Sequence, residues 1–82
     1  MSQENESPPT TGELEGRYAN YFKVGHNAFE FLLDFGQFYA ESQRAHFHTR
    51  IVTNPIYARA LFETLQEGIN QYEQTFGAIQ RG

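Results

Sequence analysis

The segment "TNPIYARALFETLQEGINQYEQTFG", residues 53–77, carries the clearest periodic signal in the chain. Within it and just after it, apolar side chains recur with gaps of four and three residues, the spacing of one helix face. These positions are Ala58, Phe62, Leu65, Ile69, Tyr72, Phe76 and Ile79. The pattern predicts a long amphipathic helix that ends near Phe76, with Gly77 as its natural terminator.

The start of this helix is marked by an asparagine-proline pair. Thr53 or Asn54 can cap a helix, because a side-chain oxygen accepts a hydrogen bond from an unpaired backbone amide. Pro55 suits the first helical turn, where its missing amide proton has no intrahelical partner to lose. We therefore expect a helix cap at Asn54 and Pro55.

The apolar face of the predicted helix is wide. Tyr57, Leu61 and Gly68 extend it to roughly 140° at 100° per residue, so one helix can face two neighbours. We expect this face to be a dimer or partner interface, and we call the following residues the helix seam: Leu61, Phe62, Leu65, Gly68, Ile69, Tyr72 and Phe76. Gly68 costs about 0.5–1 kcal/mol relative to alanine in a helix, and a close approach of another backbone would account for it.

An alternating pattern precedes the helix in "NAFEFLLDFG", residues 27–36. Its apolar positions are Phe29, Phe31, Leu33 and Phe35, and its acids are Glu30 and Asp34. A period of two predicts a strand with one buried face. Before it, "YANYFKV", residues 18–24, is rich in strand-forming residues, and "GHN", residues 25–27, suits a tight turn.

A third strand is predicted in "AHFHTRIV", residues 45–52. Its expected faces are Phe47, Thr49 and Ile51 on the inside and His46, His48 and Arg50 on the outside. Pairs between this outer face and Glu30 or Asp34 of the second strand would contribute about 0.2–1 kcal/mol each. Phe38 and Tyr39 either extend the second strand or lie exposed in the connection.

These elements predict an α+β fold, a three-stranded antiparallel meander followed by one long amphipathic C-terminal helix. The domain spans residues 17–79. Residues 1–16 are acidic and carry Leu14 as their one large apolar residue apart from Met1, so we expect a disordered tail. Residues 80–82 are also expected to be disordered.

Charge and composition exclude several classes of function. The net charge of −4 comes entirely from four acids in residues 1–16, and the body is formally neutral. A neutral body does not favour binding to a phosphate backbone. The chain has no cysteine, which excludes disulfides and cysteine-ligated zinc. It has no membrane-length apolar run, and we expect a cytoplasmic protein without a cofactor.

The aromatic content predicts self-association. A chain of 82 residues buries about 60% of its unfolded surface, and eight phenylalanines and five tyrosines exceed what one sheet and one helix can cover. The helix can cover one face of the sheet only. We therefore predict a two-fold homodimer that supplies the missing core.

Three other site hypotheses are weighed against this interpretation. His46 and His48 would need a third metal ligand from His26, Glu30 or Asp34. We favour the alternative that these histidines lie on a solvent-exposed strand face and pair with acidic residues. Glu30 and Asp34 would lie ~13 Å apart along a strand, too far for a glycosidase pair. An aromatic platform for nucleic acid would use Arg44, Arg50 and Lys23 with Tyr21, Phe22 and Phe47, but the alternation places the phenylalanines inward.

The segments "YANYFKV", "EFLLDFG", "RIVTNPIYARALFETL" and "INQYEQTFGAI" resemble a family of bacterial and archaeal proteins known as domain of unknown function 3467. The likeness covers Tyr18 to about Ile79, and its most specific parts are the Asn-Pro helix start with Ala58 and Leu61 and the closing Tyr72-Glu73 with Phe76-Gly77. It implies the strand-strand-strand-helix unit and no catalytic residues.

At fold level only, the layout is similar to a protomer of the SecB export chaperone. The leading hypothesis is a non-enzymatic homodimeric interaction or assembly module. A small SecB-like chaperone or adaptor that binds other polypeptides is the first alternative, and a nucleic-acid-binding protein is the second.

Overall fold

The computed structural model describes residues 14–82, and the expected disorder of residues 1–13 lies outside this range. Strand β1 (Tyr21–His26), strand β2 (Phe31–Tyr39) and strand β3 (Arg44–Thr53) are followed by helix α1 (Pro55–Phe76). The strands form one antiparallel sheet in the order β1-β2-β3. The predicted α+β fold, a meander followed by one C-terminal helix, is therefore confirmed.

The turn between β1 and β2 lies later in the chain than the sequence suggested. β1 continues through His26, and Asn27 builds the turn with its side chain. The Asn27 Oδ1 accepts hydrogen bonds from the backbone amides of Phe29 at 2.7 Å and Glu30 at 2.9 Å. The expectation that Phe29 and Glu30 belong to a strand was wrong, because Asn27 satisfies their amides in the turn.

The second strand is longer than its clearest pattern. Phe38 and Tyr39 extend β2, and the chain reverses in the turn at residues 40–43. Gln43 adopts a left-handed backbone conformation there, with φ of 57°. Its side-chain amide donates a hydrogen bond to the Ala40 carbonyl at 3.0 Å, which closes the turn.

A β-bulge in β3 inverts the predicted faces of that strand. Phe35 pairs with Thr49, but the next residue, Gly36, pairs with Phe47, so His48 is an extra residue without a partner position on β2. Phe47 consequently lies on the opposite face from Thr49 and Ile51. His46 lies on the same face as Thr49, so the expected outer face of His46, His48 and Arg50 was also wrong.

The register defines two faces of the sheet, which we call the front and the back. The front face contains an apolar group that we call the sheet patch: Phe22, Val24, Phe31, Leu33, Phe35 and Ile51. The back face contains Tyr21, Lys23, Leu32, Asp34, Gly36, Phe38, Phe47, Arg50 and Val52. Each face therefore carries exposed aromatic rings, and one helix cannot cover both faces.

Helix α1 does not pack along the sheet. A single residue, Asn54, separates β3 from α1, and the helix makes no extended contact with any strand. Within residues 14–82, no hydrophobic side chain is buried. The described part of the chain is thus an open sheet and an open helix that share no core.

Gly36 is the one buried residue of the described range, and aromatic rings cover it. The rings of Tyr21 and Phe47, from the two flanking strands, lie 5.3 Å apart between centroids, and Tyr21 and Phe38 lie 6.4 Å apart. We call Tyr21, Phe38 and Phe47 the aromatic triad. A Cβ atom at Gly36 would collide with the backbone of His46 and Phe47 at the bulge.

We predict that Gly36→Ala destabilises the fold by about 1–3 kcal/mol, because the added methyl group has no space beside the His46 carbonyl. The free energy of unfolding in urea measures this effect. Gly25→Ala in β1 is the matched control, since its Cβ would meet no atom within 4 Å. Equal stabilities of the two variants would contradict the role of the bulge.

Candidate association surface

The helix seam is open to solvent along its whole length. Phe62 is 53% exposed, Ile69 40% and Phe76 73%, although each is a large apolar residue. The only aromatic contact recorded within the seam joins Tyr72 and Phe76, whose centroids lie 5.0 Å apart. Apart from the adjoining residues and backbone of α1 itself, no atom of the described chain lies within 4 Å of the position that a Cβ would take at Gly68. The seam has the composition of a core and the exposure of a surface.

The helix seam and the front of the sheet face a common groove. At the junction of β3 and α1, a shallow, open depression is lined by Phe31, Pro55, Ala58, Arg59 and Phe62. Beyond this point α1 leaves the sheet, so the two apolar surfaces form the walls of an open wedge. The sheet patch extends the groove through Phe22, which meets the Phe35 ring edge-on at 5.9 Å.

The start of α1 is fixed by its cap. Asn54 adopts an extended conformation, with φ of −107° and ψ of 171°. Its Oδ1 accepts a hydrogen bond from the Tyr57 amide at 2.9 Å, and its carbonyl accepts one from the Ala58 amide at 2.8 Å. Pro55 occupies the first helical position. These contacts place the helix start within one residue of the sheet.

The far end of the front face is polar and is contacted by the segment before β1. Arg17 donates a hydrogen bond from Nη1 to the His48 carbonyl at 3.2 Å. The Asn20 side chain extends the ladder of β2, since its Oδ1 accepts from the Phe38 amide at 2.7 Å and its Nδ2 donates to the Phe38 carbonyl at 3.3 Å. The apolar end of the same face has no such cover within the described residues.

The structure does not bring the metal candidates together. His48 lies at the bulge, where Nε2 is 3.0 Å from the Tyr18 carbonyl and Nδ1 is 2.7 Å from the Thr49 hydroxyl. Because a carbonyl only accepts, Nε2 carries a proton, and in the neutral ring Nδ1 accepts from the Thr49 hydroxyl. His26 lies against the Phe31 ring at 5.4 Å. No group of three potential metal ligands occurs among residues 14–82.

The back face carries an ion pair beside the aromatic triad. Arg50 donates to Asp34 through Nε at 2.7 Å and through Nη2 at 2.9 Å, a bidentate pair across β2 and β3. The hydrogen bonds from Arg50 and the charges of Arg50 and Lys23 lower the pKa of Asp34 despite partial desolvation. Of the predicted acid-base pairs, Asp34 forms one with Arg50, whereas Glu30 lies in the turn.

The family described as "Protein of unknown function (DUF3467)" matches residues 2–81. The chain belongs to the DUF3467 family. The resemblance inferred from the sequence is confirmed. Comparison of this DUF3467 protein with curated proteins and with solved structures gives no match.

Within the part of this DUF3467 protein that the structure describes, no helix has the length and apolarity needed to span a membrane. Helix α1 is instead strongly two-sided. Its polar side includes Glu63, Glu67, Gln71 and Gln74, and the helix seam lies opposite. Arg59 lies at the border between the two sides, with its guanidinium 5.7 Å from the Phe62 ring centroid. This division is typical of a helix that packs on protein along one side and faces water along the other.

Sequence reasoning identified the helix seam but missed two features of the DUF3467 chain. The aromatic triad depends on the bulge at His48, for which the sequence gives no pattern. The helix was expected to cover one face of the sheet, but it does not pack along the sheet patch, in which Phe22, Val24 and Ile51 are exposed. Gly36, which lies between Phe35 and Gln37 inside β2, was the one signal of a close backbone approach.

We predict a pH dependence from the Asp34–Arg50 pair. The pKa of Asp34 is lower in the folded state, so the pair stabilises the fold above about pH 4 and loses this contribution as the pH falls further. Asp34→Asn should remove this part of the acid sensitivity, as measured by urea unfolding between pH 2.5 and 6.

Glu41→Gln is the matched control, because it removes one negative charge from the exposed turn between β2 and β3. It should retain the acid sensitivity of the wild type. Identical pH profiles for Asp34→Asn and the wild type would show that the ion pair does not stabilise the fold.

Proposed function

We propose that this DUF3467 protein is a non-enzymatic homodimeric module for protein association, whose interface contains the helix seam and the sheet patch. One observation carries the proposal: within residues 14–82 no hydrophobic side chain is buried, although the seam and the patch are rich in aromatic residues. A surface of this kind is typical of a chain that completes its core by association.

The free energy gained by burying the exposed seam side chains is large enough to support association. Full burial of a large apolar side chain contributes about 1.5–3 kcal/mol, so covering the exposed halves of five seam residues would contribute roughly 4–7 kcal/mol. This gain is comparable to the net stability of about 5–15 kcal/mol of a folded domain. The five residues are Phe62, Leu65, Ile69, Tyr72 and Phe76.

The charges of the sheet favour protein association over nucleic-acid binding. Tyr21, Phe47 and Lys23 do share the back face, contrary to the expectation that the phenylalanines point into a core. However, Asp34 balances the charge of Arg50 through the bidentate pair. The back face is thus left with one net positive charge, from Lys23, whereas binding along a phosphate backbone is driven by several cations.

A second candidate function rests on the back face. The aromatic triad lies opposite the groove, with Tyr21 41% and Phe47 40% exposed, and an association over the front of the sheet would leave it accessible. Exposed rings of this kind bind apolar side chains of other polypeptides. The second candidate is therefore a small chaperone or adaptor, in agreement with the fold-level analogy to the SecB protomer.

The test is the oligomeric state of Ile69→Asp by sedimentation equilibrium. We expect the wild type to be a dimer at micromolar concentration and Ile69→Asp to dissociate at least about 30-fold more readily, because a buried unpaired carboxylate costs 2 kcal/mol or more. Gln71→Asp adds the same charge on the polar side of α1 and should leave the dimer intact.

A monomeric wild type would contradict the proposal, and so would equal dissociation constants for the two variants. A dimer that suppresses aggregation of an unfolded reference protein would favour the second candidate. In that case Phe47→Ser should abolish the suppression and leave the dimer unchanged, because Phe47 lies on the back face.

A further inference from the structure

The junction between β3 and α1 directs the helix away from its own sheet. Only Asn54 separates the two elements, whereas connections of this type commonly have two or three residues. Pro55 restricts the residue before it to extended conformations, and the Asn54 cap holds the first turn through Tyr57 and Ala58. No flexible segment lets α1 fold back onto the sheet patch.

The groove between the sheet patch and α1 requires an apolar occupant. Its walls are mainly aliphatic and aromatic. The Tyr72 hydroxyl is the only polar side-chain group of the seam and the patch, and the Arg59 guanidinium borders the groove at the junction, 5.7 Å from the Phe62 ring centroid. Such walls select an occupant by its apolar area and shape rather than by charge. The occupant must also be long, because the seam continues from Leu61 to Phe76.

The segment before β1 does not provide this occupant. Of residues 1–13, Met1 alone has a large apolar side chain, and the others are polar, acidic, proline, threonine or glycine. Leu14 is the next apolar residue and is itself exposed. Residues 1–14 therefore lack the apolar area that the groove requires.

A second copy of the chain has the dimensions that the groove needs. Helix α1 has 22 residues and is ~33 Å long, and β2 has nine residues and is ~30 Å long. At about 200 Å² per large side chain, the exposed parts of seam and patch amount to roughly 900 Å² per copy. Two copies would bury ~1,800 Å², within the usual ~1,200–2,000 Å² of stable complexes.

We propose that the two copies exchange their helices, so that the helix seam of each copy packs on the sheet patch of the other. This inference rests on the proposed homodimer and specifies its arrangement. A two-fold axis satisfies both contacts at once, because each copy supplies one helix and receives one. The wide apolar arc of α1 also lets the two helices contact each other along the edge of the seam.

The absence of cysteine from the chain allows a direct test by disulfide cross-linking. Two chains of different mass would carry Leu33→Cys in the sheet patch and Ile69→Cys in the helix seam, respectively, and would be mixed and oxidised. We expect a cross-link between the unlike chains at a yield at least about tenfold above the control. The control replaces Ile69→Cys by Gln71→Cys, which lies on the polar side of α1.

The outcomes separate the two proposals. If sedimentation before oxidation shows no dimer, the proposed function fails. If a dimer is present but only like chains become cross-linked, or residues 33 and 69 join only within a doubly substituted chain, helix exchange alone is overturned.

A second measurement uses unmodified protein and does not depend on the folding of the variants. In a mixture of isotope-labelled and unlabelled copies, filtered NMR experiments detect contacts between different molecules only. We expect such contacts between Leu33 or Ile51 and the seam residues. Contacts between seam and patch that occur only within one molecule would overturn the exchange.

Discussion

The one-residue junction at Asn54 is the constraint on which the rest of the structure depends. Because the cap and Pro55 fix the start of α1 beside the end of β3, the helix leaves the sheet at once. The sheet patch and the helix seam are then both open, each with the composition of a protein interior. The proposed dimer would cover both surfaces through contacts between molecules, and folding would then be linked to association.

The two faces of the sheet make different contacts. On the front, the polar end is contacted by Arg17 and Tyr18, and the apolar end forms one wall of the groove. On the back, the aromatic triad covers Gly36, and the Asp34–Arg50 pair joins the strands beside it. Association over the front therefore leaves a structured aromatic surface on the outside of the proposed dimer.

The sequence predicted the helix and the strands better than it predicted which way their faces point and what covers them. The spacing of Phe62, Leu65 and Ile69 is set by the helix itself, so periodicity alone located α1. Alternation located β2 but placed its start at Phe29, because it does not register that the Asn27 side chain can satisfy two turn amides. The bulge at His48 inserts one residue and inverts the faces, which no local pattern records. The periodicity of the helix seam also does not show whether the same chain or another molecule covers it.

The central claim, that the fold is completed by a second copy, is tested most directly by thermal unfolding at several protein concentrations. If folding and dimerisation are coupled, the midpoint should rise by about 5 °C for each tenfold increase in concentration, given the unfolding enthalpy of two such chains. A cooperative transition whose midpoint is the same from the nanomolar to the high micromolar range would contradict the account.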